Sequence, residues 1–535
     1  MRELQKLKVI LLERHQEPVL LSLSKMGAVQ YIKVDCEEES YNGFLQACPI
    51  PNDESVMNSE IQTRIERKFK EFDLKPDKVI EEIALLPGNT IKEILSNMEQ
   101  KLLEIEEQSN QVLELRSREN SEKSSSEEIP DLGPIHSTLL SLKRMTLKVD
   151  VLLEAENEMA HCDTIVYFEA WVLLKQLSRV IVGIKEITNG ICVIEQEKPK
   201  SKDNVPRLVK RKKRLFEGFE ILTYSLGFPR KGEINPVYLM AFIFPFLYGI
   251  MFADVGHGAI LFLGGILLLI ARSRKDMDKM GEIPRYVLFA AGMITLCGIS
   301  AMFWGYLFGE FFGPSGVLHP VLLAQIGPFY FGGFDPVHEP LRLLRFTILI
   351  GVSFITLSLL LRVINHLKRR EGARAIAAIC WIWFLLGGFF MWVYWGGISQ
   401  ITSWFGEGLP MLLALVMAPL IISMIIMARV ESIMDGVNFS VEVFIESLGH
   451  TLSFCRLAAL FLAHTALSTM FLDLAGVKNG YFPPSSIPLI AIGTILILCI
   501  EGLIVFVHTL RLHWIELLPK FYSAKGILFQ PIKIK

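Results

Sequence analysis

The sequence lacks the motifs that mark most soluble enzymes and nucleic-acid-binding proteins. Its 535 residues contain no Walker A lysine motif, no metal-ligand spacing of Cys and His, and no Ser/His/Asp order of a hydrolase. We therefore expect that the chain does not itself hydrolyse a nucleotide and holds neither a metal nor a cofactor. A formal net charge of -2 leaves no basic excess for binding nucleic acid.

Cysteine is scarce, and a secretory leader is not evident. The eight cysteines are scattered without paired spacing, which excludes a recognisable disulfide framework and suggests small hydrophobic residues instead. The opening stretch MRELQKLKVILLERHQEPVL lacks the apolar core and cleavage site of a signal peptide. We therefore predict that the amino terminus lies in the cytosol.

Residues 1–235 are charge-rich and predict a cytosolic arm. KLKVILLERHQEPVLLSLSKMGAVQYIKVD and TIVYFEAWVLLKQLSRVIVGIKEITNGICVIEQ each indicate a small α/β unit. Between them, apolar residues follow heptad spacing from Ile91 to Val112 and from Ile135 to Leu153, on either side of a Ser-rich stretch. The pattern predicts an antiparallel coiled-coil hairpin with a globule at each end.

A basic segment precedes the apolar half of the chain. The sequence KRKKR favours a solvated helix face, because charge runs usually are solvated. The alternative is contact with anionic lipid headgroups. The residues concerned are Lys210, Arg211, Lys212, Lys213 and Arg214.

Residues 236–535 predict an α-helical polytopic membrane domain with eight spans. The last two apolar runs exceed the twenty or so residues that cross a bilayer upright, so they are expected to be tilted. The predicted spans are 237–253, 257–272, 286–309, 344–367, 375–396, 410–430, 439–472 and 487–518.

Lysine and arginine are missing from alternate loops, and this predicts the orientation. GGISQITSWFGEG and the long loop from Gly309 to Pro340 contain neither residue, whereas the loops after spans two and four are basic. By the positive-inside rule both termini are cytosolic.

The seventh span carries four ionisable residues on one predicted face. With Arg456 at zero and about 100° per residue, Glu442, His464 and His450 fall at roughly +40°, +80° and +120°. On the eighth span, Glu501, His508 and Arg511 lie within about 80° of one another. We therefore expect two polar columns along these helices.

Glutamate and histidine in a membrane can exchange protons, whereas arginine stays charged. A fixed arginine between two proton-accessible columns would block leakage and make a carrier carboxylate release its proton. A structural alternative is that Arg456 snorkels or pairs with Glu442. Seven charged or titratable residues on two spans favour function, because each uncompensated charge is costly.

The segment GIMFADVGHG places Asp254 and His257 between the first two spans. A Gly-rich turn with polar caps explains these two residues as well as a functional role does. They are therefore possible site residues, and both interpretations stay open.

Three segments stand out as long motifs: HTLSFCRLAALFLAHTALS, EGLIVFVHTLRLHWIE followed by KFY, and FPFLYGIMFADVGHG. They resemble the a subunit of eukaryotic vacuolar-type proton ATPases, which is similar to subunit I of archaeal-type ATPases. The resemblance implies that Arg456 faces a rotating proteolipid ring and that Arg511 is a second arginine facing it. It implies proton access through the remaining residues, which are Glu442, His450, His464, Glu501 and His508.

The resemblance also implies a function and partners. The chain would be the static membrane subunit that supplies two proton half-channels while a partner sector hydrolyses ATP, in a vacuolar or other endomembrane. The partners would be the proteolipid ring, peripheral stalk subunits, other membrane-sector subunits and the ATP-hydrolysing sector. A proton-coupled secondary transporter is the main alternative, and a targeting scaffold is a third.

Overall fold

The structure is a computed structural model, and the chain divides into two compact units. The first contains Met1–Val209 and Ile527–Lys535, and the second contains Lys210–Gly526. The sequence-based boundary at residue 235 therefore lies inside the second unit. The residues described are 4–34, 46–47, 53–72, 90–119, 133–162, 164–199, 205–206, 214–230, 232–274, 281–326, 329–333, 338–395, 404–430, 432–477 and 481–533.

One antiparallel sheet organises the first unit. Strand β1 pairs with β5 on one side and β6 on the other, and β2 and β4 also pair with β5. The elements β1-α1-β2 and β5-α5-β6 form a ferredoxin-like arrangement. Their bounds are β1 Leu4–Leu12, α1 Gln16–Met26, β2 Val29–Ile32, β3 Gln46–Ala47, β4 Ala160–Cys162, β5 Ile165–Leu173, α5 Leu177–Ile187 and β6 Cys192–Glu197.

The two predicted α/β units are therefore one sheet rather than two globules. The physical reason is visible in β5, which is buried on both faces. Phe168 packs in the main core of the unit, whereas Trp171 packs on the opposite face against Val205 and Phe529. A strand with two apolar faces needs cover from both sides, which a small isolated unit cannot supply.

In the described part of the insertion between β2 and β4 there are three helices rather than two. The coiled-coil pattern correctly predicted α3 Ile91–Glu119 and α4 Gly133–Asn157. A third helix, α2 Asp53–Glu71, buries Ile61 and Ile65 in the same core. The predicted two-helix hairpin is thus incomplete, because α2 covers apolar surface that α3 and α4 would otherwise expose.

The second unit is largely helical, and its first described α-helix is α6 Glu217–Tyr224. Among the described residues, seven helices are long and apolar enough to cross a membrane, so the predicted count of eight is not confirmed. The helix at the first predicted span, α7 Val237–Met251, has 15 residues and is about 22 Å long, less than the roughly 30 Å of a hydrocarbon core. The seven are α8 Val255–Arg274, α9 Glu282–Phe308, α10 Pro340–Lys368, and helices Gly372–Tyr394, Leu409–Val430, Ile433–Leu474 and Pro484–Lys520.

The last two of these helices are long but irregular. The penultimate span, Ile433–Leu474, has a break at Phe454, where one helix ends at Ser453 and the next begins at Cys455. The last span, Pro484–Lys520, contains two π-helical segments, Ile497–Glu501 and Leu512–Leu517. Such segments change which face a side chain occupies, and they recur at functional sites. Tilt in a bilayer stays a prediction.

Candidate functional site

Arg456 lies one residue after the start of the helix that follows the break at Phe454. Its Nη2 donates a hydrogen bond to Ser453 Oγ at 2.7 Å, and its Nη1 lies 3.7 Å from Glu516 Oε1. Ser453 Oγ also donates to Glu516 Oε1. The side chain of Glu516 is 3 % exposed and that of Arg456 is 18 % exposed. The cation is therefore held by a carboxylate from the last span.

Glu516 was not among the predicted site residues. It belongs to the π-helical segment Leu512–Leu517, whose extra residue per turn displaces side chains from the positions that an α-helix would give them. The available signal was a carboxylate in the run LHWIELLPKF, since a charge among apolar residues requires a partner.

A second polar group lies closer to the start of the penultimate span. Lys520 Nζ donates to Glu446 Oε2 at 2.8 Å and lies 4.4 Å from the Trp381 ring centroid. His450 Nδ1 is 4.0 Å from the same Glu446 oxygen. The predicted residue Glu442 is exposed one helical turn before Glu446. The second polar group therefore contains Glu446 and Lys520 in addition to Glu442 and His450, which the sequence had indicated.

Arg362 of α10 extends this second group. Its guanidinium lies 5.1 Å from the Trp381 ring centroid, on which Lys520 also packs. The Trp381 indole N–H donates to Ser447 Oγ at 2.8 Å and so is fixed against the penultimate span. Two cations on one aromatic ring create a positive region beside the carboxylates of this group.

A third polar group is buried on the side of Arg456 opposite to the second group, and it includes residues of both of the last two spans. His464 Nδ1 lies 2.9 Å from Glu501 Oε2, and His464 Nε2 lies 3.9 Å from Asp254 Oδ2. His257 Nδ1 is 3.1 Å from Asp254 Oδ1. The centroids of the two histidine rings are 5.4 Å apart. Asp254 and His257 thus belong to the same group as His464 and Glu501.

The loop after α9 holds Asp254 in place. Asp254 accepts backbone N–H bonds from His257 at 2.8 Å, from Phe312 at 3.1 Å, and from Gly313. Gly313 has φ of +95°, a conformation that favours glycine. Beside this loop, Glu310 Oε1 accepts a hydrogen bond from Thr465 Oγ1 at 2.8 Å. Glu310 is also buried.

The ionisable residues that were predicted to form one continuous column along each span therefore lie in three successive groups. The break at Phe454 and the two π-helical segments interrupt the regular rotation of about 100° per residue on which the columns were based. His508 is half-buried and Arg511 is exposed on the last span. Within the described parts of the chain, neither residue forms an ion pair. The geometry does not test their predicted roles.

The basic segment at residues 210–214 lies almost entirely outside the described residues. Lys210, Arg211, Lys212 and Lys213 lie outside the described residues, and for Arg214 the side chain does. Contact with anionic lipids stays a prediction.

Comparison with known proteins agrees with the motifs in these spans. The model of the V-type ATPase 116kDa subunit family matches residues 73–320 and 427–534. The A-type ATP synthase subunit I of Pyrococcus abyssi is 31% identical over 380 residues, which cover 68% of this chain and 53% of that protein. The human V-type proton ATPase 116 kDa subunit a 3 is 22% identical over 505 residues, covering 68% and 60%.

A plant relative gives a similar picture. The V-type proton ATPase subunit a1 of Arabidopsis thaliana is 24% identical over 428 residues, which cover 60% of this chain and 52% of the plant protein. The chain spans about half the length of the archaeal and plant relatives that it matches. The family match includes both spans that carry Arg456 and Glu516. The chain belongs to the V-type ATPase 116kDa subunit family.

Proposed function

We propose that the chain is the static membrane subunit of a rotary vacuolar-type proton ATPase. A ring of proteolipids, each with one carboxylate in the membrane, turns past Arg456 while a soluble partner sector hydrolyses ATP. The observation that carries the proposal is the position of Arg456, held by Ser453 and Glu516 between two other polar groups of the same two spans.

Arg456 has donor capacity left for a passing carboxylate. A guanidinium has five N–H donors, and Nη1 makes no hydrogen bond to any described residue although it is shielded from solvent. Its charge is permanent, so it favours the ionised form of a carboxylate that approaches it. A proton-loaded carrier would release its proton there, and no proton could be relayed through the guanidinium itself.

The two flanking groups supply the half-channels in this proposal. The first group contains Glu442, Glu446, His450 and Lys520. It lies near the carboxyl-terminal end of the last span, which ends at Lys520. The group of Asp254, His464 and Glu501 lies on the other side of Arg456. With both termini in the cytosol, as the loop charges predict, the first group would open to the cytosol. Protons would then enter from the cytosol through the first group and leave on the opposite side of the membrane through the second group.

His508 and Arg511 are proposed to contribute on the ring side of the last span. Both lie between Glu501 and Glu516 in the sequence, so they fall between the buried group and the Arg456 pair along the helix. The exposed guanidinium of Arg511 would act as a second cation towards the ring carboxylates. His508 would take part in proton access.

The remaining partners are proposals of the same kind. The first unit would contact peripheral stalk subunits, and the membrane unit would contact other membrane-sector subunits. The complex would lie in a vacuolar or other endomembrane, where the basic segment from Lys210 to Arg214 could meet anionic lipid. The relatives include A-type ATP synthase subunits as well as V-type proton ATPase subunits. We propose ATP-driven pumping as the direction of operation.

Co-purification and reconstitution distinguish this function from a proton-coupled secondary transporter. In detergent, the tagged chain should retain proteolipids and nucleotide-binding subunits. Reconstituted alone, it should carry neither protons nor solutes, because the ring that carries the protons is missing. Proton-coupled solute uptake by the isolated chain would reject the rotary function and favour the transporter.

A further inference from the structure

We propose that Asp254, His257 and His464 form a binding site for a divalent cation of the Zn²⁺ class. We also propose that filling this site stops proton flow past Glu501. The first statement stands on the geometry of the three side chains, whereas the second rests on the proposed function.

The spacing of the donor atoms suits a small transition-metal ion. One donor atom from each of the three residues lies within 4.8 Å of the others. Zn²⁺ binds histidine nitrogen and carboxylate oxygen at about 2.0–2.2 Å, so donors around a tetrahedral ion are roughly 3.3 Å apart. The observed 3.1 Å between His257 Nδ1 and Asp254 Oδ1, and 3.9 Å between His464 Nε2 and Asp254 Oδ2, need only small side-chain adjustments.

Unsatisfied ring nitrogens point to a missing ligand. His257 and His464 are 2 % and 0 % exposed. Neither His257 Nδ1 nor His464 Nε2, the two ring nitrogens that face Asp254, makes a hydrogen bond to a described residue. Buried polar atoms without a partner are uncommon in folded proteins and call for an explanation, of which a bound ion is one. Two such atoms beside one carboxylate make a cation the simplest explanation.

The neighbours of these residues resemble the supporting groups of metal sites. Glu501 Oε2 lies 2.9 Å from His464 Nδ1, so Nδ1–H can donate to Glu501 while Nε2 is the ring nitrogen directed towards Asp254. Metal-binding histidines commonly use their second nitrogen in this way, on a carboxylate or carbonyl. Asp254 is itself fixed by the backbone N–H groups of Phe312 and Gly313. Both ligands are therefore oriented before any ion arrives.

The donor set and its surroundings favour Zn²⁺ over Mg²⁺ or Ca²⁺. Two imidazoles and one carboxylate suit Zn²⁺, whereas Mg²⁺ and Ca²⁺ prefer oxygen ligands. A small cavity borders His257 and is also lined by Phe312, Ser468 and Thr494. It has room for about one water molecule beside His257.

A cation at this position would interfere with the proposed proton route. His464 links Asp254 to Glu501, so the ion would sit directly between the loop after α9 and the last span. Its two fixed positive charges would repel a proton arriving from Glu501. Protons carried by the ring would then have no exit route, and pumping would stop while the ion stayed bound.

The binding test uses the complete, detergent-solubilised complex after treatment with a chelator. Zn²⁺ alone is the probe, and its binding is measured by calorimetry and by X-ray absorption. We expect one ion per chain with nitrogen and oxygen neighbours at about 2.0 Å. His257→Ala should weaken binding at least tenfold. His319→Ala is the matched control, because His319 is an exposed histidine in the loop after α9.

Asp254→Asn provides a second variant of nearly unchanged shape, should His257→Ala fail to assemble. It should also weaken Zn²⁺ binding at least tenfold, and Glu501→Gln should weaken it about 10- to 100-fold by removing support from His464. Equal Zn²⁺ affinity in the wild type and in these variants would overturn the site. The absence of bound Zn²⁺ in the wild type would do so as well.

The transport test measures ATP-driven acidification of vesicles, each variant against its own rate without metal. Added Zn²⁺ should inhibit the wild type and His319→Ala at the concentration at which it binds. A Zn²⁺-loaded wild type that acidifies at its full rate would overturn the blocking role. If the wild type does not pump even without Zn²⁺, the proposed function has failed, and the binding test alone still decides whether the metal site exists.

Discussion

Arg456 Nη1 lies 3.7 Å from Glu516 Oε1, and the hydroxyl group of Ser453 contacts both side chains. The two charged residues come from different spans, so the pair connects these spans beside the break at Phe454. A permanent cation at membrane depth needs such a partner, because it cannot lose its charge. In the proposed function, a ring carboxylate that approaches Arg456 would share the guanidinium with Glu516.

Removing the negative charge of Glu516 should weaken the connection between the two spans. Glu516→Gln keeps the size of the side chain but leaves Arg456 without its counter-charge. We expect the free energy of unfolding to fall by about 1–3 kcal/mol, below the 3–5 kcal/mol of a fully buried pair because Arg456 is partly exposed. Thermal unfolding of the complex in detergent measures the change.

Glu407→Gln is the control for this substitution, since Glu407 is exposed. A double-mutant cycle with Arg456→Gln should show a coupling of at least 0.5 kcal/mol, about the lower limit for residues in contact. Independent effects of the two substitutions would mean that the ion pair contributes nothing to stability.

Close packing between α8 and α9 predicts a difference between two adjacent glycines. A Cβ atom on Gly265 would lie 2.7 Å from the Thr295 backbone nitrogen, whereas a Cβ on Gly264 would meet nothing within 4 Å. Gly265→Ala should therefore destabilise the membrane unit by about 1–3 kcal/mol. Gly264→Ala should be neutral or slightly stabilising. Equal midpoints of thermal unfolding for both variants would contradict the packing of α8 on α9.

The stability of the first unit should depend on pH through Glu156. Burial, with smaller contributions from repulsion by Glu17 and Glu54, raises the pKa of Glu156 from 4.5 to about 7. Between these two values the folded state keeps a proton that the unfolded chain has released. The free energy of unfolding therefore falls as pH rises from about 4.5 to about 7, and this contribution is constant above that.

Amide hydrogen exchange of α1 and α4 in the complete chain measures this effect, after correction for the intrinsic pH dependence of exchange. Protection should be higher at pH 5 than at pH 8, and Glu156→Gln should reduce the difference. Glu154→Gln, at an exposed position of the same helix, is the control. An unchanged difference in Glu156→Gln would assign the pH dependence to other groups.

Local patterns predicted the helices and strands well but not how remote segments combine. The heptad pattern located α3 and α4, alternating apolar residues located β1, and the second predicted α/β unit contains β5. The union of β1 with β5 in one sheet depends on pairing across more than 150 residues, which no local pattern reports. The same holds for Phe529, which packs against Trp171 from the end of the chain.

Several residues of the candidate site stood out in the sequence, but their grouping did not. Arg456, His464 and Glu501 stood out because charges in apolar runs are costly. A rotation of about 100° per residue could not anticipate the break at Phe454, nor the π-helical segments that carry Glu501 and Glu516. For Asp254 and His257 the turn interpretation and the functional one were equal. Proximity to His464 favours the functional one.

The central claim is that the fixed charge of Arg456 makes a passing carboxylate release its proton. The most direct measurement is ATP-driven proton uptake by vesicles that contain the assembled complex with Arg456→Ala, compared with Glu407→Gln vesicles. Our account predicts that Arg456→Ala abolishes acidification although the ring and the nucleotide-binding subunits remain attached, while Glu407→Gln acidifies normally. Continued ATP-coupled acidification with Arg456→Ala would contradict it.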